Sequence, residues 1–174
     1  QTKTIALLLI TANRGLCGGF NANLIKEARA RIAEWEAKGI NVEMHIVGKK
    51  GIGFFKYLGK NIASQHTDIT DKPSAADAAR LVDGLMTRFA SGELDAVYVT
   101  ATKFKSALTA PPGTDAILPV TPPSGGAASR DFILAPSGAE ILEALLPAYV
   151  RNAVYRALAE AEAGFQSAQR TAMK

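Results

Sequence analysis

The sequence holds a single cysteine, Cys17, and only two histidines, His45 and His66, among its 174 residues. One thiol closes no internal disulfide, so nothing in the composition points to an oxidising compartment. Three such side chains, far apart along the chain, also lack the ligand spacing of a metal site. No apolar run approaches the roughly 20 residues of a membrane span, so direct membrane insertion is not expected. The opening QTKTIALLLIT carries no secretory signal and no initiator Met; it enters a strand at once and reads as the start of an excised piece. Aromatic residues are scarce, at 7%. Nucleic-acid surfaces cluster basic residues and interleave aromatics with them, so no nucleic-acid partner is expected. The charge excess is small: 20 basic minus 16 acidic residues gives +4. Its densest basic cluster is Lys49, Lys50, Lys56 and Lys60, a pattern suited to an acidic partner.

What is present is a strand–helix alternation. Thr4–Thr11 is an apolar, β-rich run of the kind buried on both faces of a sheet. Asn21–Lys38 repeats Leu24, Ile25, Ala28, Ile32 and Trp35 at helical spacing, with Gly39 as its stop. Val42–Val47 predicts a second strand, Gly53–Leu58 a short helix and Asn61–His66 a third strand. Ser74, with Asp77 three residues on, predicts the start of a helix that ends at Ser91-Gly92. Leu94–Thr100 predicts a fourth strand. The stretch from Ala110 to Asp131 holds five of the eight prolines and reads as a loop around one short strand, Ala116–Leu118. Phe132–Ala135 predicts an edge strand. From Ser137 a helical pattern runs almost to the end, with Pro147 as a kink or the first residue of a new helix. One apolar face there comprises Tyr149, Val150, Ala153, Val154, Ala157, Leu158 and Ala161. The expected fold is α/β: one domain over 1–174, with an open, mostly parallel, Rossmann-like sheet flanked by helices and a long C-terminal helix.

The most conspicuous motif is TANRGLCGGFN, Thr11–Asn21, between the first strand and the first helix. A dinucleotide fingerprint needs G-x-G-x-x-G so that the backbone can approach a pyrophosphate. Gly15, Gly18 and Gly19 give G-x-x-G-G instead, and no acidic residue ends the second strand. Gly59-Lys60 fails as a phosphate loop because Phe54 stands where Gly is required and Asn61 replaces the hydroxyl. Cys17 lies near a helix start, which can depress a thiol pKa, but neither histidine is near it in sequence to serve as a base. Glu34, Glu36, Glu140, Glu143, Glu160 and Glu162 fall on solvated helix faces. The residues therefore display no active site, and no cofactor is called for. A flavodoxin-like or nucleotide-binding α/β protein stands as the alternative, and would need a ligand crevice at the carboxyl ends of the strands.

ITANRGLCGGFNANL resembles the strand–turn–helix signature of the γ subunit of F-type ATP synthase. The resemblance continues through IKEARARIAEWEAKG, VGKKGIGFFKYLG, ITDKPSAADAARL and TKFKSAL, then DFILAPSGAEILEALLPAYVRNAVYRALAEA and RTAMK. It implies a non-catalytic central-stalk subunit that couples proton-driven rotation of a membrane ring to ATP synthesis or hydrolysis in the catalytic subunits. In that family this region is a globular domain inserted between two long helices of a coiled coil, the second of which would start within 147–174. The implied partners are the ring of catalytic α and β subunits, the ε subunit and the membrane c-ring. The implied place is the cytoplasmic side of a bacterial plasma membrane. Arg14 and Cys17 would then face the lower ends of the catalytic subunits, while Lys49, Lys50, Lys56 and Lys60 would contribute to docking on the ring or ε. The plastid members' redox-switched cysteine pair has no counterpart here. Two departures from the family pattern are Asn13, where Asp is usual, and Gly164-Phe165, where Ser-Glu is usual. The second predicts a weakened helix with an exposed Phe.

Overall fold

The computed structural model describes residues 3–13, 19–68, 72–103, 111–118 and 138–172, with side chains in the last segment from 145 onward. Five strands form one sheet in the order β3-β2-β1-β4-β5. Its central strand is β1, Thr4–Ile10, flanked by β2, Asn41–Val47, and β4, Ala96–Thr102. Both neighbours run parallel to it, in registers that pair Leu7 with Met44 and with Tyr98. β3, Ser64–His66, adds a short parallel edge, and β5, Pro112–Leu118, an antiparallel one. The α/β, mostly parallel arrangement is the one the residue pattern predicts.

Alternation along β1 divides the core in two. Ala6, Leu8 and Ile10 face α3, Ala75–Ala90, and the C-terminal helix α4, Gly138–Ala172. Leu7 and Leu9 face α1, Phe20–Ala37, and α2, Lys49–Tyr57. A strand apolar on both sides suits only a sheet covered on both sides, which is why TIALLLI reads as a continuous run.

The predicted cap at Ser74 is present and forms a capping box: Asp77 N–H donates to Ser74 Oγ at 3.1 Å and Ser74 N–H to Asp77 Oδ2 at 3.0 Å. Four elements differ from the sequence reading by two residues or more at a boundary. α2 begins at Lys49 rather than Gly53, because glycines 51 and 53 sit inside it; a Cβ on Gly51 would lie 2.8 Å from Thr11 Oγ1 and 2.9 Å from Ile46 Cγ2. β3 starts at Ser64, after the Ala63 N–H has already bonded Met44 O. β4 runs Ala96–Thr102, two residues later than the predicted strand at both ends, because Asp95 is drawn out to accept the Lys3 and Thr4 N–H groups. β5 starts at Pro112 rather than Ala116: the proline sits at the strand's first position on a sheet edge, where its missing N–H costs no ladder bond. The predicted strand at 132–135 lies outside the described residues. α4 is continuous through Pro147 from Gly138.

Candidate functional site

In an open parallel sheet the place to look is the carboxyl edge where strand order reverses, here between β1 and β4. Arg14 and Cys17, in the turn that leaves β1, lie outside the described residues. The residues on either side of that turn are described, and both are already occupied.

Thr11, Ala12 and Asn13 satisfy the start of α2. Asn13 Oδ1 accepts the Lys49 N–H at 2.9 Å, Ala12 O accepts that of Lys50 at 3.1 Å, and Thr11 Oγ1 accepts that of Gly51 at 3.0 Å. Thr11 Oγ1 in turn donates to Val47 O at 2.7 Å, and Asn13 Nδ2 donates to Thr67 O at 3.0 Å. A helix start becomes an anion site when its free N–H groups point at a ligand. At α2 those groups have been taken by the tail of β1. Asn13, which departs from the family's Asp, is the only one of the two residue types that can both accept from Lys49 and donate to Thr67.

Among the described residues, α4 packs over the carboxyl end of β4, beside a cavity of about 600 Å³ that lies between α4 and the β4–β5 edge. The buried stripe Val150, Val154, Leu158 and Ala161 belongs to the core on the α3 side, whereas Phe165 belongs to the core on the α1 side. The helix thus passes over the carboxyl end of β4. Phe165 is 3% exposed and meets Phe20 edge to face, with ring centroids 5.7 Å apart. Gly164 lies so close to the strand end that a Cβ there would stand 2.6 Å from Thr102 Cγ2 and 3.3 Å from Phe20 Cε1. The expectation of an exposed Phe165 is therefore wrong: its helical spacing after Leu158 and Ala161 continues the buried stripe, and Gly164 is what lets the helix come near enough. Tyr149, read as part of the same apolar face, is 52% exposed.

A second polar cluster went unrecognised in the sequence. Arg88 of α3 grips Glu43 of β2 through both oxygens, at 2.7 and 2.6 Å, and bonds Glu93 at 2.7 Å. Glu43 Oε1 lies 3.0 Å from His45 Nε2, His45 Nδ1 lies 2.6 Å from Ser64 Oγ, and Ser64 Oγ lies 3.0 Å from His66 Nε2. Hydrogen bonding to Arg88 holds the Glu43 carboxyl below the usual range, and burial pushes both imidazoles down. An ionised Glu43 requires His45 Nε2 to donate; the neutral ring then accepts from the Ser64 hydroxyl, which accepts from His66 Nε2–H. The connectivity Ser64–His45–Glu43 is that of a hydrolytic triad. Its carboxylate, however, is already neutralised by Arg88, and the serine oxygen by His66, so the network holds β2, β3 and α3 together. Alternation along β2 and β3 puts residues 43, 45, 64 and 66 on one face, which is the only signal the sequence offered.

The lysines do not form one patch. Lys49 and Lys50 open α2 beside Asn13 and Ala12 at the carboxyl edge. Lys56 is in its last turn and Lys60 lies beyond it, 3.8 Å from Glu36 near the end of α1. Seven residues of helix separate Lys49 from Lys56 by about 10 Å along the axis. The sequence clustered them because α2 is short, but its length sets Lys49 and Lys50 apart from Lys56 and Lys60. On the carboxyl side, Lys50 joins Lys26 and Arg29 around a groove of about 570 Å³ floored by Ile25 and Phe54. Arg29 stands over the Phe54 ring, 5.7 Å from its centroid.

Among the described residues no group of carboxylates, histidines and cysteines could hold a metal ion, and no helix is long and apolar enough to cross a membrane.

Comparison with known proteins gives one consistent result. The family model described as ATP synthase matches residues 1–174. An ATP synthase gamma chain of Gemmatimonas aurantiaca is 70% identical, over 99% of this chain and 60% of its own. One from Leptospira biflexa is 37% identical, over 100% of this chain and 61% of its own. The chain therefore spans less than two thirds of the length of these relatives. Among solved structures, the central stalk and c-ring of Tetrahymena thermophila mitochondrial ATP synthase contains a similar chain. The TM-score is 0.74 at 22% identity, covering 99% of this chain and 75% of that one, which speaks for a shared fold.

Proposed function

The chain belongs to the ATP synthase γ-chain family, and on that premise we propose that it is the globular foot of a central-stalk rotor. In this reading it carries torque between a proton-driven c-ring and the catalytic α and β subunits, and itself makes and breaks no covalent bond. Residues 1–174 act as one unit, and the segment 147–172 of α4 begins the second coiled-coil helix. The assembly sits on the cytoplasmic side of a bacterial plasma membrane. The observation that carries the reading is the family match over the whole chain. The packing of Phe165 on Phe20 and of Gly164 on Thr102 beside the switch point supports a non-catalytic role.

The divided lysines refine the docking scheme. Lys49 and Lys50, at the carboxyl edge, are assigned together with Arg14 and Cys17 to the catalytic subunits. Lys56 and Lys60, at the far end of α2, are assigned to the ring or the ε subunit. The decisive experiment is reconstitution of the parent γ chain with its α and β subunits, followed by ATP-driven rotation and proton pumping with the ring present. Rotation with pumping is expected. A γ chain that binds ATP or flavin stoichiometrically by itself, and supports no rotation, would overturn the proposal in favour of the flavodoxin-like alternative.

A further inference from the structure

We infer that Gly164 and Phe165 are positioning residues that latch the C-terminal helix onto the foot, and that this contact sets the torsional stiffness between the two. The inference rests on the rotor reading and adds the place where shaft and foot are joined.

Four observations carry it. α4 is the one described helix whose buried residues belong to both cores, and Phe165 is where its stripe crosses from one to the other. The crossing is tight: Gly164 leaves no room for a Cβ against Thr102, the last residue of β4. The partner of Phe165 is Phe20, the first residue of α1, which directly follows the Gly-rich turn. The ring-on-ring contact therefore links the start of α1 directly to the shaft helix. Beyond Phe165 only Ala168 packs on the same core before the described part of α4 ends. Close-packed interiors transmit strain, whereas a helix held only along one face can rock about its long axis. Phe165 extends the Val150–Ala161 stripe onto the second core, so the helix is held by two packed cores rather than one, and this resists that rocking.

The test uses full-length γ assembled with its α and β subunits. A bead is attached through a biotin-acceptor peptide inserted after Lys38, in the exposed turn between α1 and β2. During the catalytic dwell the shaft is clamped by the α and β subunits, so the bead's angular variance reports compliance between shaft and foot. Phe165→Ala is expected to raise that variance about twofold, with the ATP turnover rate unchanged, and Phe165→Leu to restore most of the stiffness. Equal variance in wild type and Phe165→Ala would overturn the latch. Where Phe165→Ala does not assemble, hydrogen exchange on the wild-type complex decides: amides of 162–172 must be protected as strongly as those of β1, and fraying of this stretch would overturn the proposal. A wild-type bead that does not rotate would instead overturn the rotor reading, with the exchange measurement still judging the latch.

Discussion

Asn13 Oδ1 accepts the backbone N–H of Lys49 at 2.9 Å, so a residue of the β1 tail caps a helix 36 positions further along the chain. The same side chain donates to Thr67 O at 3.0 Å and thereby ties the ends of three strands together. Removing both bonds with Asn13→Ala should cost about 1 kcal/mol, the usual worth of a cap. Asn13→Asp keeps the acceptor and adds a charge favourable at a helix start, but it sets a carboxylate oxygen against the Thr67 carbonyl. Urea unfolding should rank the three Asn, then Asp, then Ala. An Asp variant as poor as Ala would show that the Thr67 bond dominates.

Gly48 and Gly39 both adopt positive φ, at 98° and 78°, yet they should respond very differently to substitution. A Cβ on Gly39 meets nothing within 4 Å, whereas one on Gly48 would stand 2.2 Å from the Thr11 carbonyl oxygen. Gly39→Ala should therefore cost only the left-handed backbone strain, roughly 1 kcal/mol. Gly48→Ala must also push β1 and α2 apart, and should unfold the protein or lower its urea midpoint several times further. Similar losses for the two would refute the close approach.

How much of this was legible in advance depends on range. Ser74 and Asp77 are three residues apart, and that spacing alone predicts the helix start they cap. The alternation that buries both faces of β1 is equally local. The contacts that shape the carboxyl edge are not: Asn13 meets residues 49 and 67, and Phe165 meets Phe20. A cap supplied by a distant residue leaves no pattern beside the helix it caps, so α2 was started four residues late. Gly164-Phe165 looked like a flaw because a helix-weakening residue beside an aromatic makes sense only once Thr102 is known to lie against it.

Gly164 gives a test of that point in two substitutions. Gly164→Ala places a methyl 2.6 Å from Thr102 Cγ2. Overpacking of a close-packed contact costs typically about 1–3 kcal/mol, more than the roughly 1 kcal/mol that Ala gains over Gly in a helix. Thr102→Ser deletes the methyl in question. The double variant should then recover most of the loss, and a double-mutant cycle should return a coupling of about 1 kcal/mol or more. Additive effects would mean that the helix and strand are not in contact.

Arg88 bonds both oxygens of Glu43, and their side chains are 34% and 24% exposed. The pair lies between a surface bridge and a buried one, so Arg88→Ala should cost roughly 1–2 kcal/mol at neutral pH. Substitution also removes the main cause of the depressed Glu43 pKa. The acid limb of the stability curve should flatten, because the stability tied to Glu43 is present above its ordinary value of 4.5 and lost as pH falls toward the lower folded value. An unchanged acid limb in Arg88→Ala would mean that Glu43 is not held by this pair.

The two histidines act at higher pH. Burial lowers both His45 and His66 from an ordinary value of 6.5, so between 6.5 and the lower folded values the unfolded chain binds more protons than the folded one. Stability should therefore be level above about pH 7, fall as pH drops below 6.5, and fall further once Glu43 begins to titrate. Protonating His45 on Nδ1 also forces the Ser64 hydroxyl to turn from donor to acceptor on that side, which rearranges the network. His45→Gln should reduce the slope between pH 6.5 and 5, leaving the part due to His66 and the Glu43 limb in place. Chemical denaturation at half-unit pH steps measures both, and a wild-type curve flat from pH 7 to 5 would exclude the network as drawn.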